Sequence, residues 1–479
     1  MYYQDDPVFP DDFMWGASSS AWQVEGATTE DGRTPATIDL NTQKKDGYSD
    51  NSIAADHYHH YKEDVALMAE CGFSSYRFSI SWSRILPDGT GKVNPKGIEF
   101  YHNLIDELLA HDITPIVTIY HYDLPLVLQE RYGGWASRQI IADFEYYCRV
   151  LFEEYGDKVK YWLTLNEQNM QICYGEWLGI ADGVEDWDKE KYRINHIMNL
   201  AHAKAVNACH EMVAGGKVGP VPGYVPIYPH SCKPEDQIAA MNAEELTEKF
   251  WLDLYVHGEY NGFIKRYWEE NDIDPDIHPG DMELIASATD IDFIALNCYR
   301  SNVAMDCKPE EEEVELQLNK EGVKGQFVYP KFPGVYQLTD NPYVETTDWD
   351  WEIDPVAIRY MLRYVNDHYG LPMMITENGY GAHDKLTEDG QVHDRERIDF
   401  LRDQIYQMGL AIEDGCDVIS YNLWSFTDLL STGNGMAKRY GLVYINTTDE
   451  DVLDLRRIKK DSFYWYSNLI KSNGQDWGK

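Results

Sequence analysis

Short apolar, β-branched runs alternate with amphipathic runs along this chain, and few folds accommodate that pattern. Residues 13–16, 74–80, 114–120, 161–165, 217–221, 292–296, 373–376 and 418–423 read as strands. Residues 56–71, 100–110, 143–155, 195–213, 355–369 and 397–413 read as helices. The first of these sets Tyr61, Val65, Met68 and Ala69 on one face and stops at Gly72. Repeated strand–helix units imply a parallel sheet. Eight strands predict an α/β fold, a single (β/α)8 TIM barrel with loop insertions. An open doubly wound sheet is disfavoured, because no Gly-rich dinucleotide fingerprint follows the first strand. A length of 479 residues suits two or three ordinary domains. No Pro/Gly/Ser-rich linker or low-complexity tract marks a boundary, so residues 1–479 are read as one barrel.

The formal net charge is −41, from 82 acidic and 41 basic residues. This excludes nucleic acid and anionic membrane as expected partners. An anionic small molecule would be repelled at long range and would need a local cation. The start, Met1-Tyr2-Tyr3-Gln4-Asp5-Asp6, lacks the basic and apolar regions of a signal peptide. No apolar run is long enough to span a bilayer. The eight cysteines are scattered with no CxxC pair, as expected of reduced thiols in the cytoplasm. His57, His59 and His60 crowd one helix start but lack partners at metal-site spacing, and no metal is expected.

Two glutamates stand in matching settings. Glu167 closes Trp162-Leu163-Thr164-Leu165-Asn166-Glu167 at the end of the fourth strand. Glu377 follows Met373-Met374-Ile375-Thr376 at the end of the seventh and precedes Asn378-Gly379. The carboxyl ends of barrel strands are where such folds carry their chemistry. A carboxyl pair there suits acid/base and nucleophilic attack on a glycosidic bond, with the two groups about 5–5.5 Å apart when configuration is retained. One carboxyl must carry a proton and the other must be ionised. Arg77, in Tyr76-Arg77-Phe78-Ser79-Ile80, is a strand arginine suited to holding the nucleophile ionised.

Three motifs then fall in order. The stretch from Phe13 to Gly26, Thr164-Leu165-Asn166-Glu167, and Ile375-Thr376-Glu377-Asn378-Gly379 resemble the signatures of glycoside hydrolase family 1, over essentially the whole chain. The resemblance implies a barrel, retention of configuration and no cofactor. It implies Glu167 as acid/base and Glu377 as nucleophile, with Tyr299 orienting the latter. It assigns Gln23, His121, Asn166, Asn297 and Trp424 to the sugar, with Asn166 on the 2-hydroxyl, and Trp351 to the aglycone side.

The loop after the eighth strand departs from the family's plain β-glucosidases. Where those carry a Glu-Trp pair, this chain has Ser431-Thr432. A glutamate beside C6 would repel a phosphate there, whereas a serine can donate to it. Lys438 and Tyr440 follow in the same loop, and the Ser431–Lys438–Tyr440 set resembles the phosphate site of the 6-phospho-β-glycosidases. Thr432 resembles the small residue of the gluco-specific members, where galacto-specific ones carry Trp. Tyr122 replaces the Trp of the His-Trp-Asp motif of plain β-glucosidases, a change expected in the pocket wall. The expectation is a cytoplasmic 6-phospho-β-glucosidase acting on phosphorylated disaccharides or aryl β-glucosides, made during uptake by a sugar phosphotransferase system. A homo-oligomer is compatible with it. Rival readings are a 6-phospho-β-galactosidase or dual enzyme, an unphosphorylated β-glucosidase, and a non-catalytic carbohydrate-binding barrel.

Overall fold

The computed structural model describes residues 6–43, 50–175, 180 and 183–478. Eight parallel strands build the barrel: β1 (Met14–Ser18), β2 (Ser75–Ser79), β3 (Thr114–Tyr120), β4 (Tyr161–Asn166), β5 (Lys217–Val221), β6 (Ile294–Asn297), β7 (Met373–Glu377) and β8 (Val418–Trp424). Their hydrogen-bonded order is β5-β4-β3-β2-β1-β8-β7-β6. The remaining seam between β5 and β6 closes through a parallel bridge from Gly223 to Asn297 and a bond from Asp292 N–H to the Val218 carbonyl at 3.0 Å. The expected (β/α)8 barrel is therefore the observed one.

Inside the barrel, Ile116, Leu163, Val221, Phe293, Ala295 and Met374 pack into one apolar layer. Such a side chain contributes roughly 1.5–3 kcal/mol when fully buried. Outside it, helices cover the strands through a far larger apolar cluster. Asn94 caps helix Pro95–Ala110 by accepting from Lys96 N–H, and Asp354 caps Pro355–Tyr369 through Val356 and Ala357. Both helices take proline in the first turn, where its missing donor costs nothing.

Register aligns the strand ends. Ser18 pairs with both Arg77 and Trp424, Asn166 with Val221, and Glu377 with Asn297. Parallel pairing in this register gathers residues far apart in sequence at one mouth. The loops add a four-stranded sheet from 227–229, 302–305, 331–332 and 336–339, and a two-stranded one from 443–445 and 457–459. The helices Pro234–Glu244, Phe250–His257, Gly262–Glu270 and Asp281–Ala286 lie between β5 and β6. No described helix is long and apolar enough to cross a membrane.

Candidate active site

A cavity at the carboxyl-terminal mouth is lined by Gln23, His121, Glu167, Asn297, Tyr299, Trp351, Glu377, Trp424, Ser431, Lys438 and Tyr440 among others. Arg77 and Asn166 lie just behind this wall, fully or nearly fully buried.

The seventh-strand motif shows why each of its residues is needed. Thr376 donates to Asn297 Oδ1 at 2.8 Å. Asn378 donates to the Cys298 carbonyl at 2.7 Å and accepts from the Tyr421 hydroxyl at 2.7 Å. A Cβ on Gly379 would stand 1.9 Å from the Trp424 carbonyl oxygen, so only glycine fits. Glu377 is thus fixed between β6 and β8. Its Oε1 accepts from Arg77 Nη1 at 2.5 Å and its Oε2 from the Tyr299 hydroxyl at 2.7 Å.

Glu167 follows β4 in a left-handed conformation, φ 44° and ψ 51°, which costs a non-glycine residue about 1–3 kcal/mol. Its N–H donates to the Val221 carbonyl at 2.6 Å, which secures this turn. Its Oε1 accepts from Asn297 Nδ2 at 3.0 Å, and its Oε2 from the Tyr122 hydroxyl. Arg77 links the two carboxylate settings, because its Nη2 donates to Asn166 Oδ1 at 2.5 Å while Nε donates to Thr118 at 2.7 Å.

Burial raises the Glu377 carboxyl to about 7; Arg77 opposes this, the Glu167 charge reinforces it, and the bonds from Arg77 and Tyr299 oppose it again. Arg77 therefore offsets only part of the desolvation. A nucleophilic carboxyl must be ionised, so protonation silences it below that value. The acid limb of kcat/KM is expected near pH 7, with activity falling as pH drops through it. A limb near 4.5, the ordinary glutamate value, would contradict this reading.

The other sequence candidates sit as follows. Gln23 donates to the Leu430 carbonyl at 2.8 Å and accepts from Ser20 at 2.6 Å, which braces the loop bearing Ser431. His121 Nε2 lies 3.2 Å from Asn166 Nδ2, and its Nδ1 has no partner among the described residues. Burial, then Arg77, push this imidazole well below its ordinary range, so the ring is neutral. It stacks on Trp424 with ring centres 5.9 Å apart. Asn297 reaches Glu167 and Asn166 as well as lining the cavity. The Trp351 ring lies 5.6 Å from that of Tyr299.

At the far wall, Ser431 and Tyr440 line the cavity together. Lys438 Nζ stands 3.6 Å from the Trp351 ring centre and 4.9 Å from that of Trp349. Trp351 thus stands against both Tyr299 and Lys438. A Cβ on Gly381 would come 2.6 Å from Lys438 Cε, so the glycine leaves room for the lysine stem. Lys438 and Arg439 are adjacent but differently used. Arg439 pairs with Asp428 at 2.9 Å, whereas Lys438 has no carboxylate partner among the described residues. Burial, then nearby Arg300, push the Lys438 ammonium well below its ordinary value. An anion placed at this wall would favour the charged form of the amine.

Sequence reasoning missed Arg300, which lines the cavity, stands 3.8 Å from Glu352 and is centred 5.7 Å from the Trp351 ring. Its place directly after Tyr299 was the available signal. Met170, Tyr174 and Leu318 also line the cavity and carry no motif. The histidine cluster is engaged with acids: His57 with Asp64, His59 with Asp56 and His60 with Glu63.

A closed parallel barrel with a carboxyl pair at its catalytic mouth has the architecture of a glycoside hydrolase. The chain belongs to glycosyl hydrolase family 1, whose profile matches residues 5–475. It is 47% identical over 479 residues to the aryl-phospho-β-D-glucosidase BglC of Bacillus subtilis (strain 168), covering 99% of this chain and 100% of that one. It is 37% identical to a phospho-cellobiase of Klebsiella oxytoca, covering 98% of each chain. Among solved structures, the family 1 β-glucosidase of Thermotoga maritima superposes with a TM-score of 0.86 at 35% identity, over 98% of this chain and 99% of that one.

Proposed function

We propose that this chain is a retaining 6-phospho-β-glucosidase, cutting substrates such as cellobiose 6-phosphate into glucose 6-phosphate and the aglycone. The observation that carries the reading is Lys438: a buried amine on the cavity wall, without a carboxylate partner among the described residues, beside Ser431 and Tyr440. The names of the Bacillus and Klebsiella relatives support the same substrate class.

Double displacement follows from the arrangement. Arg77 and Tyr299 both donate to Glu377 and neither donates to Glu167, which suits Glu377 to the attacking role and Glu167 to proton transfer. Glu377 attacks C1 as Glu167 hands its proton to the leaving oxygen. Glu167, now ionised, takes a proton from water, whose oxygen attacks C1 and releases Glu377. Asn166, held by Arg77, faces the 2-hydroxyl, while Gln23, His121 and Trp424 bound the ring. Ser431, Lys438 and Tyr440 take the phosphate. Thr432 leaves room beside C4 and favours gluco over galacto.

The free, mostly buried thiols support a reducing compartment, and we place the reaction in the cytoplasm, within a single catalytic unit. Release of glucose 6-phosphate from cellobiose 6-phosphate tests the proposal, with 4-nitrophenyl β-galactoside 6-phosphate expected to be the poorer aryl substrate than its gluco counterpart. Equal cleavage of plain cellobiose would sink it.

A further inference from the structure

Tyr122 has no role in the mechanism above, yet its phenol reaches the acid/base. The side chain is 7% exposed, and its hydroxyl donates to Glu167 Oε2. Tyr122 holds φ at 71°, a left-handed backbone that bulky aromatic residues rarely adopt. The turn after β3 therefore keeps this ring against its local preference.

The two neighbours of Glu167 differ in what they can do. Asn297 Nδ2 at Oε1 only donates, and the amide's acceptor oxygen is taken by Thr376. That contact suits the ionised carboxylate. A phenol both donates and accepts. Glu167 alternates between protonated and ionised during double displacement. Burial, then Glu167 itself, push the phenol's ionisation well above its ordinary value, so Tyr122 keeps its own proton throughout.

We propose that Tyr122 is a positioning residue for Glu167, its hydroxyl donating to the ionised carboxylate and turning to accept from the protonated carboxyl. Glu167 is thereby held in place through both half-reactions, and no proton passes to Tyr122. A tryptophan N–H at this position could only donate. The inference rests on the acid/base role given to Glu167 above.

Tyr122→Phe removes the hydroxyl alone, and its unfolding midpoint checks that the fold is kept. Loss of a donor to a charged acceptor is expected to move the alkaline limb of kcat/KM up by about one pH unit. For cellobiose 6-phosphate, whose leaving group needs a proton, kcat/KM is expected to fall at least about tenfold. For 2,4-dinitrophenyl β-glucoside 6-phosphate, whose leaving group needs none, the fall stays under about threefold. An unmoved limb, or equal losses on the two substrates, would overturn the role of Tyr122. The same pair without phosphate, assayed alongside, keeps this split measurable if the phosphate reading fails. Wild-type turnover reads the assignment of the carboxyl pair, and the difference between wild type and variant reads Tyr122.

Discussion

Replacing Glu377 by alanine is expected to lower kcat at least about ten-thousand-fold on every β-glycoside, with the phosphorylated and plain substrates losing alike. The size follows from the role. Without this carboxylate no covalent intermediate forms, and water has no base on that face of the sugar. A structural contribution predicts a different signature. Arg77 would lose its partner at 2.5 Å, and an uncompensated buried charge destabilises a fold by about 3–5 kcal/mol; that loss shows in the unfolding midpoint. Azide separates the two. A small anion entering the space left by the side chain should restore turnover of Glu377→Ala and yield the α-glycosyl azide, since it attacks from the nucleophile's side. A variant retaining a tenth of wild-type kcat would remove Glu377 from the reaction.

The second large effect lies at the other wall. Lys438→Met keeps an unbranched stem beneath Trp349 and Trp351 and deletes the charge. Losing one partner of a buried charge-assisted pair costs about 2–5 kcal/mol. The kcat/KM for a 6-phosphorylated glucoside should therefore fall by roughly 30- to 4,000-fold, while the plain glucoside changes little. Arg439→Met serves as control, because that arginine is consumed by Asp428 and by the Ile445 and Thr447 carbonyls. It should harm stability and leave the phosphate preference alone. Equal losses on the two substrates in Lys438→Met would make the lysine a packing residue.

All eight barrel strands were legible in the sequence, most as short apolar runs, as burial on both faces favours, and Ser75–Ser79 by its alternation. Helix starts were less so. Pro95–Ala110 and Trp187–Met212 begin five and eight residues before their expected starts, the first opening on Pro95-Lys96-Gly97 and the second carrying Asp188, Lys189 and Glu190 in its first turn. The outer sheet escaped notice because its strands are two to four residues long, as at Lys331–Phe332 and Tyr336–Thr339. They are defined by pairing, not by periodicity.

The same division holds at the site. Glu167 and Glu377 were legible because strand ends announce themselves, and Arg77 because a charge inside a buried strand does. Ser431 and Lys438 were legible because the loop departs from a known pattern. Tyr122 was visible only as a departure. Its contact with Glu167 depends on a backbone turned to φ 71° and on approach across the barrel mouth, and no local propensity encodes either. Gln23 and Asn297 showed a further limit. Each lines the cavity as expected, but each also spends amide groups on neighbours: Gln23 on Leu430, Asn297 on Glu167.

The most direct measurement is the ratio of kcat/KM for 4-nitrophenyl β-glucoside 6-phosphate to that for 4-nitrophenyl β-glucoside, taken on the wild-type chain in one buffer. A phosphate held by a buried ammonium and two hydroxyls predicts a ratio of at least about a hundred. A ratio near one would contradict the account and leave Ser431, Lys438 and Tyr440 as features of an ordinary β-glucosidase.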